Sequence, residues 1–192
     1  IRRKGIELSI ELVRRLAEPG CRAHLLDKEP VLVITHKAGD EGSDYLRELQ
    51  ERARAAQIKM VYAATRFAPR EQWVEQNKVY SLWDAYVQSQ FVTYPSRYEG
   101  FGNALLETIY FRLPVLVNRY NVYVTDIAPL GFDFVEIDGE VTGQTVEQVI
   151  TAIIDPVRRR RMVEYNYQVA VENYSYEAVI PIVNRLIRNE VG

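Results

Sequence analysis

The chain has 192 residues, 47% of them hydrophobic, a formal net charge of -2 and one cysteine, Cys21. That length suits a single domain spanning 1–192, with apolar content for a core that buries roughly 70% of the unfolded surface. The charge balance gives no reason to expect nucleic acid as a partner, one cysteine allows no internal disulfide and fits a reducing, cytoplasmic setting, and no apolar run reaches the ~18 residues of a membrane span.

No signal peptide stands at the start, and the opening Ile1-Arg2-Arg3-Lys4 without an initiator methionine reads as a piece of a longer protein. Gly5 to Ala17 reads as a helix whose apolar face is Ile6, Leu8, Ile10, Leu12, Val13 and Leu16. Pro30 to Thr35 is a continuous apolar run, as expected of a strand covered on both faces. Ser43 to Ala56 reads as a charged amphipathic helix capped by Ser43 or Asp44. Strands are expected at Ile58 to Ala63, Phe91 to Tyr94, Pro114 to Val117 and Phe132 to Ile137. Helices are expected at Tyr80 to Gln88, Asn103 to Phe111, Thr145 to Ile154, Pro156 to Glu172 and Tyr176 to Asn189.

Strands alternating with helices argue an α/β fold: a doubly wound, Rossmann-like parallel sheet with helices on both faces. Two long stretches, Ala64 to Lys78 and Asn118 to Gly131, are expected to be irregular loops at strand ends, where function concentrates.

The most informative stretch is Glu99-Gly100-Phe101-Gly102-Asn103-Ala104-Leu105-Leu106-Glu107. A strand ending at Pro95-Ser96 feeds a glycine-bearing turn, and the turn feeds a helix. The first N–H groups of a helix lack intrahelical partners and carry partial positive charge, so this layout builds an anion site. Gly100 and Gly102 admit close approach of a ligand to the backbone. Glu99 lies in the turn and Glu107 about one turn inside the helix. A ligand with a diphosphate in the middle and hydroxyl-rich groups at both ends suits that arrangement.

Pro95-Ser96, Glu99-Gly100-Phe101-Gly102, Glu107, Leu113-Pro114-Val115 and Lys4-Gly5 together resemble the C-terminal donor-binding domain of family 4 retaining glycosyltransferases of the two-domain GT-B fold. The resemblance runs from Lys4 to the C-terminal helices. It implies that Glu107 accepts hydrogen bonds from the ribose hydroxyls and that Glu99 sits beside the transferred sugar. It implies that Gly100, Phe101, Gly102, Asn103, Ala104 and Leu105 frame the diphosphate and sugar, and that Lys4 neutralises the leaving diphosphate. Tyr62 and Leu82 would line the base pocket. The donor would be a nucleotide sugar, with no cofactor and no metal, and the partner would be an N-terminal domain of the same enzyme that holds the acceptor.

Each assignment has a plainer alternative. Glu107 can be a solvent-facing helix residue, Glu99 a cap for the following helix, Lys4 a solvated lysine at a frayed end, and Tyr62 a core tyrosine. The glycine pair can serve chain reversal alone. The family usually adds an arginine about five residues before the lysine, a position upstream of Ile1, and a strand in the middle of the sheet just before it. Asn118-Arg119-Tyr120 stands where many members have Gly-Gly. There Arg119 can reach a donor phosphate or an anionic acceptor, or pair with a nearby acid. His24 and His36 read as structural or surface residues. Arg158 to Arg161 reads as solvated surface, with a peripheral contact to an anionic membrane as the lesser option. Trp73 would be a partner-facing aromatic. The rival functions are a nucleotide-sugar epimerase of the same architecture and a non-catalytic binding domain.

Overall fold

A computed structural model describes residues 2–37 and 44–189. Ser43, one of the two expected caps of the third helix, lies outside them. The helices are α1 (Ile6–Leu16), α2 (Pro19–His24), α3 (Asp44–Ala55), α4 (Leu82–Gln88), α5 (Asn103–Tyr110), α6 (Gly143–Ile154), α7 (Pro156–Tyr174) and α8 (Tyr176–Asn189). The strands are β1 (Val31–Ile34), β2 (Lys59–Tyr62), β3 (Phe67–Ala68), β4 (Gln72–Val74), β5 (Asn77–Ser81), β6 (Val92–Tyr94), β7 (Val115–Asn118) and β8 (Val135–Ile137).

Strand pairing in the β1–β2 unit and in the β6–β7–β8 unit is parallel. β1 pairs with β2, Leu32 opposite Met60, and β7 lies between β6 and β8, Leu116 opposite both Thr93 and Val135. Parallel neighbours need crossover helices, and α3 supplies one between β1 and β2, α5 one between β6 and β7. Among the described residues no strand joins β1 to β6. α1 holds the two units together instead. Leu8, Leu12 and Leu16 pack with Leu116, Val135, Ile137 and α6, while Ile10 and Val13 pack with Leu32 of β1 and with Tyr45, Leu49 and Ala53 of α3. The Ser9 hydroxyl also donates to Thr93 Oγ1 on β6, 2.8 Å away.

Several expectations need correction. β1 is not covered on both faces: Val31 and Val33 are 41% and 50% exposed, because no described element packs over that side. The stretch Ala64 to Lys78 is not irregular. β3 and β4 flank β5 in a small sheet, β4 and β5 antiparallel. Their tight turn puts Glu75 and Gln76 in the left-handed region, φ 46° and 67°. Such turns are usually announced by Asn-Gly or Asp-Gly, so Glu-Gln gives no signal. Tyr80 and Ser81 end β5 and do not begin a helix. Ser81 caps α4, receiving the Asp84 N–H while the Asp84 carboxylate accepts the Ser81 N–H.

Asn118 to Gly131 is likewise ordered. It contains a π-helical turn at Tyr123–Ile127, with both end residues buried, followed by a 3-10 turn at Ala128–Leu130. α2 was not expected; Pro19 opens it at its first position. Arg158 is not solvated surface. Its guanidinium grips both Asp133 oxygens at 2.5 and 2.7 Å, fixing α7 to the approach of β8. Among the described residues no helix is long and apolar enough to cross a membrane.

Candidate functional site

The site forms where the N-terminal turn, Arg2–Lys4, is laid on the loop after β6. Gly5 has φ 61°, and a side chain there would collide with the Pro95 carbonyl. Only glycine lets the start of α1 close on that loop. The Arg97 N–H then donates to the Arg3 carbonyl at 2.7 Å.

This contact brings the predicted Lys4 and Glu99 together. Lys4 Nζ donates to Glu99 Oε1. Ser96 Oγ donates to the same oxygen at 3.1 Å, and Arg3 Nη1 donates to Oε2 at 3.2 Å. Glu99 is 8% exposed. Burial alone would raise its carboxyl pKa, but the Lys4 hydrogen bond and charge, with Ser96 and Arg3, hold it below the usual carboxylate range. Glu99 therefore binds side chains and does not cap α5, and Lys4 is not a free lysine.

α5 begins next to this cluster. Gly102 precedes it with φ 97°, and no side chain caps its N-terminus. A Cβ on Gly102 would overlap the Tyr94 phenol. Gly102 is thus explained by chain geometry and packing. Gly100 differs: a Cβ there would meet nothing within 4 Å. The exposed Asn103 opens the helix, whereas the Leu105 N–H already donates to the Gly102 carbonyl and the Leu105 side chain is in the core. Phe101 packs its ring edge-on against Tyr174 at 4.9 Å, and its carbonyl accepts the Tyr120 hydroxyl at 2.9 Å. Ala104 packs against the same core. In this turn the Phe101, Ala104 and Leu105 side chains are thus engaged in packing, while Asn103 is exposed.

Glu107 is half-buried, and the Tyr86 hydroxyl on α4 donates to its Oε2 at 2.9 Å. The Tyr86 ring stacks on Phe111 at 5.1 Å. Tyr62 ends β2 opposite Ile34, and Leu82 is the first residue of α4. Arg119 is paired with an acid: its Nη1 donates to Glu136 Oε2 at 2.6 Å, and the Tyr123 hydroxyl donates to Glu136 Oε1 at 2.5 Å. Asn118 ties the strand ends together, donating to the Ser96 carbonyl at 3.1 Å and accepting the Gly139 N–H at 2.8 Å.

Sequence reading missed Arg3, Ser96, Tyr86 and His36 as neighbours of the site. Ser96 belongs to the Pro-Ser entry, three residues before Glu99, and its spacing was a usable signal. Arg3 and Tyr86 are revealed only by tertiary contact. His36 follows β1. Desolvation by the surrounding chain, then the Lys4 charge, lower its pKa although its side chain keeps an exposed face. Among the described residues no cluster of three or more His, Cys, Asp or Glu could hold a metal ion. The cationic turn and the α5 N-terminus favour an anion.

Comparison with known proteins gives this geometry a context. The family model described as "Glycosyl transferases group 1" matches residues 1–169. The chain is 32% identical to the mannosylglucosylglycerate synthase of Thermotoga maritima over 96% of its own length and 46% of that protein's. It is 33% identical to the enzyme of that name from Petrotoga mobilis, over 71% of this chain and 33% of the relative. The chain thus spans less than half the length of the curated relatives it matches. Its fold is similar to the C-terminal domain of a glycosyl transferase group 1 family protein from Francisella tularensis, with a TM-score of 0.63 and 17% identity over 92% of this chain and 82% of that one. Because the family match covers the Lys4–Glu99 pair, the turn before α5 and Glu107, the chain belongs to the glycosyl transferases group 1 family.

Proposed function

We propose that the chain is the donor-binding half of a retaining hexosyltransferase that uses a nucleotide-diphosphate sugar. The observation that carries this reading is the convergence of Lys4 and Glu99, 95 residues apart in sequence, beside the uncapped N-terminus of α5. The diphosphate lies against Lys4 and the Gly102-Asn103-Ala104 backbone, where fixed N–H dipoles and one cation stabilise the charge that grows as the sugar leaves. Glu99 faces the sugar and favours positive charge at the anomeric carbon. Glu107 accepts the ribose hydroxyls, with Tyr62 and Leu82 toward the base. Attack from the face that the diphosphate leaves retains the anomeric configuration. No metal is required, because Lys4 and the helix N-terminus supply the positive charge.

The acceptor is held by a separate domain of the whole protein. The curated relatives are named for making mannosylglucosylglycerate, which suggests a hexose donor and an acceptor that bears a carboxylate. The chain alone binds the nucleotide and transfers no sugar.

A thermal-shift titration with UDP, GDP and ADP, without and with Mg²⁺, tests the donor site. Stabilisation that grows with one nucleotide and needs no metal is the expected result. No shift with any of the three contradicts the reading.

A further inference from the structure

The loop that carries Glu99 runs from Ser96, after β6, to Phe101, before α5. Both of its ends are gripped from one place, the end of β7. At the entry, the Asn118 side chain donates to the Ser96 carbonyl at 3.1 Å, while its oxygen accepts the Gly139 N–H at 2.8 Å. At the exit, the Tyr120 hydroxyl donates to the Phe101 carbonyl at 2.9 Å. The Tyr120 N–H donates to the Asn118 carbonyl at 2.9 Å, which closes a tight turn and turns both side chains onto the same loop. Arg119, between them, pairs with Glu136 on β8.

Asn118, Tyr120 and Ser96 are all buried. The Asn118 amide satisfies two backbone groups, which would lose their partner without it. The Tyr120 ring lies edge-on to Tyr94 at 6.3 Å, and the Tyr94 phenol is what a Cβ on Gly102 would meet. Burial, then the Glu99 charge, push the Tyr120 hydroxyl pKa up to about 12, so it stays a donor at neutral pH. Ser96 links the entry to the carboxylate: its carbonyl is held by Asn118, and its hydroxyl donates to Glu99 at 3.1 Å.

We propose that Asn118 and Tyr120 are positioning residues for the donor site, a two-point clamp that fixes Glu99 and the Gly100–Gly102 backbone in their binding geometry. The inference rests on the transferase reading above and adds to it two residues that act through the loop. Backbone N–H groups hold a diphosphate best when they are in place before it arrives, because ordering them on binding costs affinity. Two glycines make this loop intrinsically pliable, so the order must come from outside it.

The test compares Tyr120→Phe with Tyr123→Phe. Each removes one buried tyrosine hydroxyl and keeps the ring, but the Tyr123 hydroxyl bonds Glu136 and not the loop. UDP, GDP and ADP are titrated by calorimetry into the parent and both variants, and ¹⁵N relaxation reads the order of the Phe101 and Gly102 amides without ligand. Tyr120→Phe should weaken the nucleotide that the parent binds by about fivefold, the worth of one hydrogen bond. It should also lower both order parameters below the rigid value of about 0.85. Tyr123→Phe should lose at least as much stability and match the parent in both readouts. Asn118→Ala, which removes both bonds at the entry, should weaken the nucleotide more than Tyr120→Phe does. Parent-like affinity in Tyr120→Phe, or equal weakening in the two tyrosine variants, overturns the clamp. A parent that binds none of the three nucleotides sinks the donor reading, and unchanged order parameters in Tyr120→Phe would then sink the clamp as well.

Discussion

Lys4, at the entry to α1, and Glu99, in the loop before α5, are paired through Glu99 Oε1, with the glutamate almost wholly buried. The pair closes the N-terminal turn onto the motif loop and sets both charges where a donor would meet them. Removing the lysine leaves a buried carboxylate with Arg3 and Ser96 only. Lys4→Met should therefore cost about 1–3 kcal/mol of stability, read by denaturant unfolding, and should weaken nucleotide binding. A variant as stable as the parent would show that the pair is not formed in solution.

The Glu99 carboxyl is held below its ordinary value of 4.5 in the folded chain. The sign follows from proton linkage. A depressed folded pKa adds stability above the unfolded value, and that stability is lost as pH falls through the folded value. Melting temperature should drop as pH falls below the unfolded value of 4.5, and the drop should be shallower in Glu99→Gln. Parallel curves for the two proteins would remove Glu99 from the acid-sensitive groups.

The two motif glycines should respond differently. Gly102→Ala forces a side chain into the Tyr94 phenol at φ 97° and should cost about 1–3 kcal/mol. Gly100→Ala meets open space and should leave stability within about 0.5 kcal/mol. If the proposed donor site is correct, it should nevertheless weaken nucleotide binding, because the added methyl would stand where the proposed diphosphate approaches the backbone. Unfolding curves and the nucleotide thermal shift, measured on both variants, separate the two roles.

Apolar patterning in the sequence located α1, α3, α5, α6 and α8 and the strands β1, β2, β6, β7 and β8, and Pro156 marked the start of α7. The small β3–β5–β4 sheet escaped it. Its turn is made by Glu75 and Gln76, and its strands are two to five residues long. Site legibility divided along the same line. Glu99, Gly100, Gly102 and Glu107 stand in one contiguous stretch whose strand-turn-helix logic is local. Arg3, Tyr86 and His36 join the site through contacts between distant segments, which no local pattern encodes. The sequence left Arg119 open between a ligand and an acid, and only the placement of Glu136 on β8 supplied the acid.

The Tyr86 hydroxyl donates to Glu107 and fixes its orientation, so it is the group to remove. Tyr86→Phe should cost about 1 kcal/mol and lower nucleotide affinity without affecting the Lys4–Glu99 pair. Unchanged affinity together with reduced stability would mark the bond as structural only.

The most direct measurement compares the best-binding nucleoside diphosphate with its 2′,3′-dideoxy counterpart by calorimetry, in the parent chain and in Glu107→Ala. The parent should favour the ribose form by about tenfold, as expected when a half-buried carboxylate loses its hydroxyl partners. Glu107→Ala should bind both forms alike. Equal affinity for the two nucleotides in the parent chain would contradict the assignment of Glu107 to the ribose and, with it, the donor site built around α5.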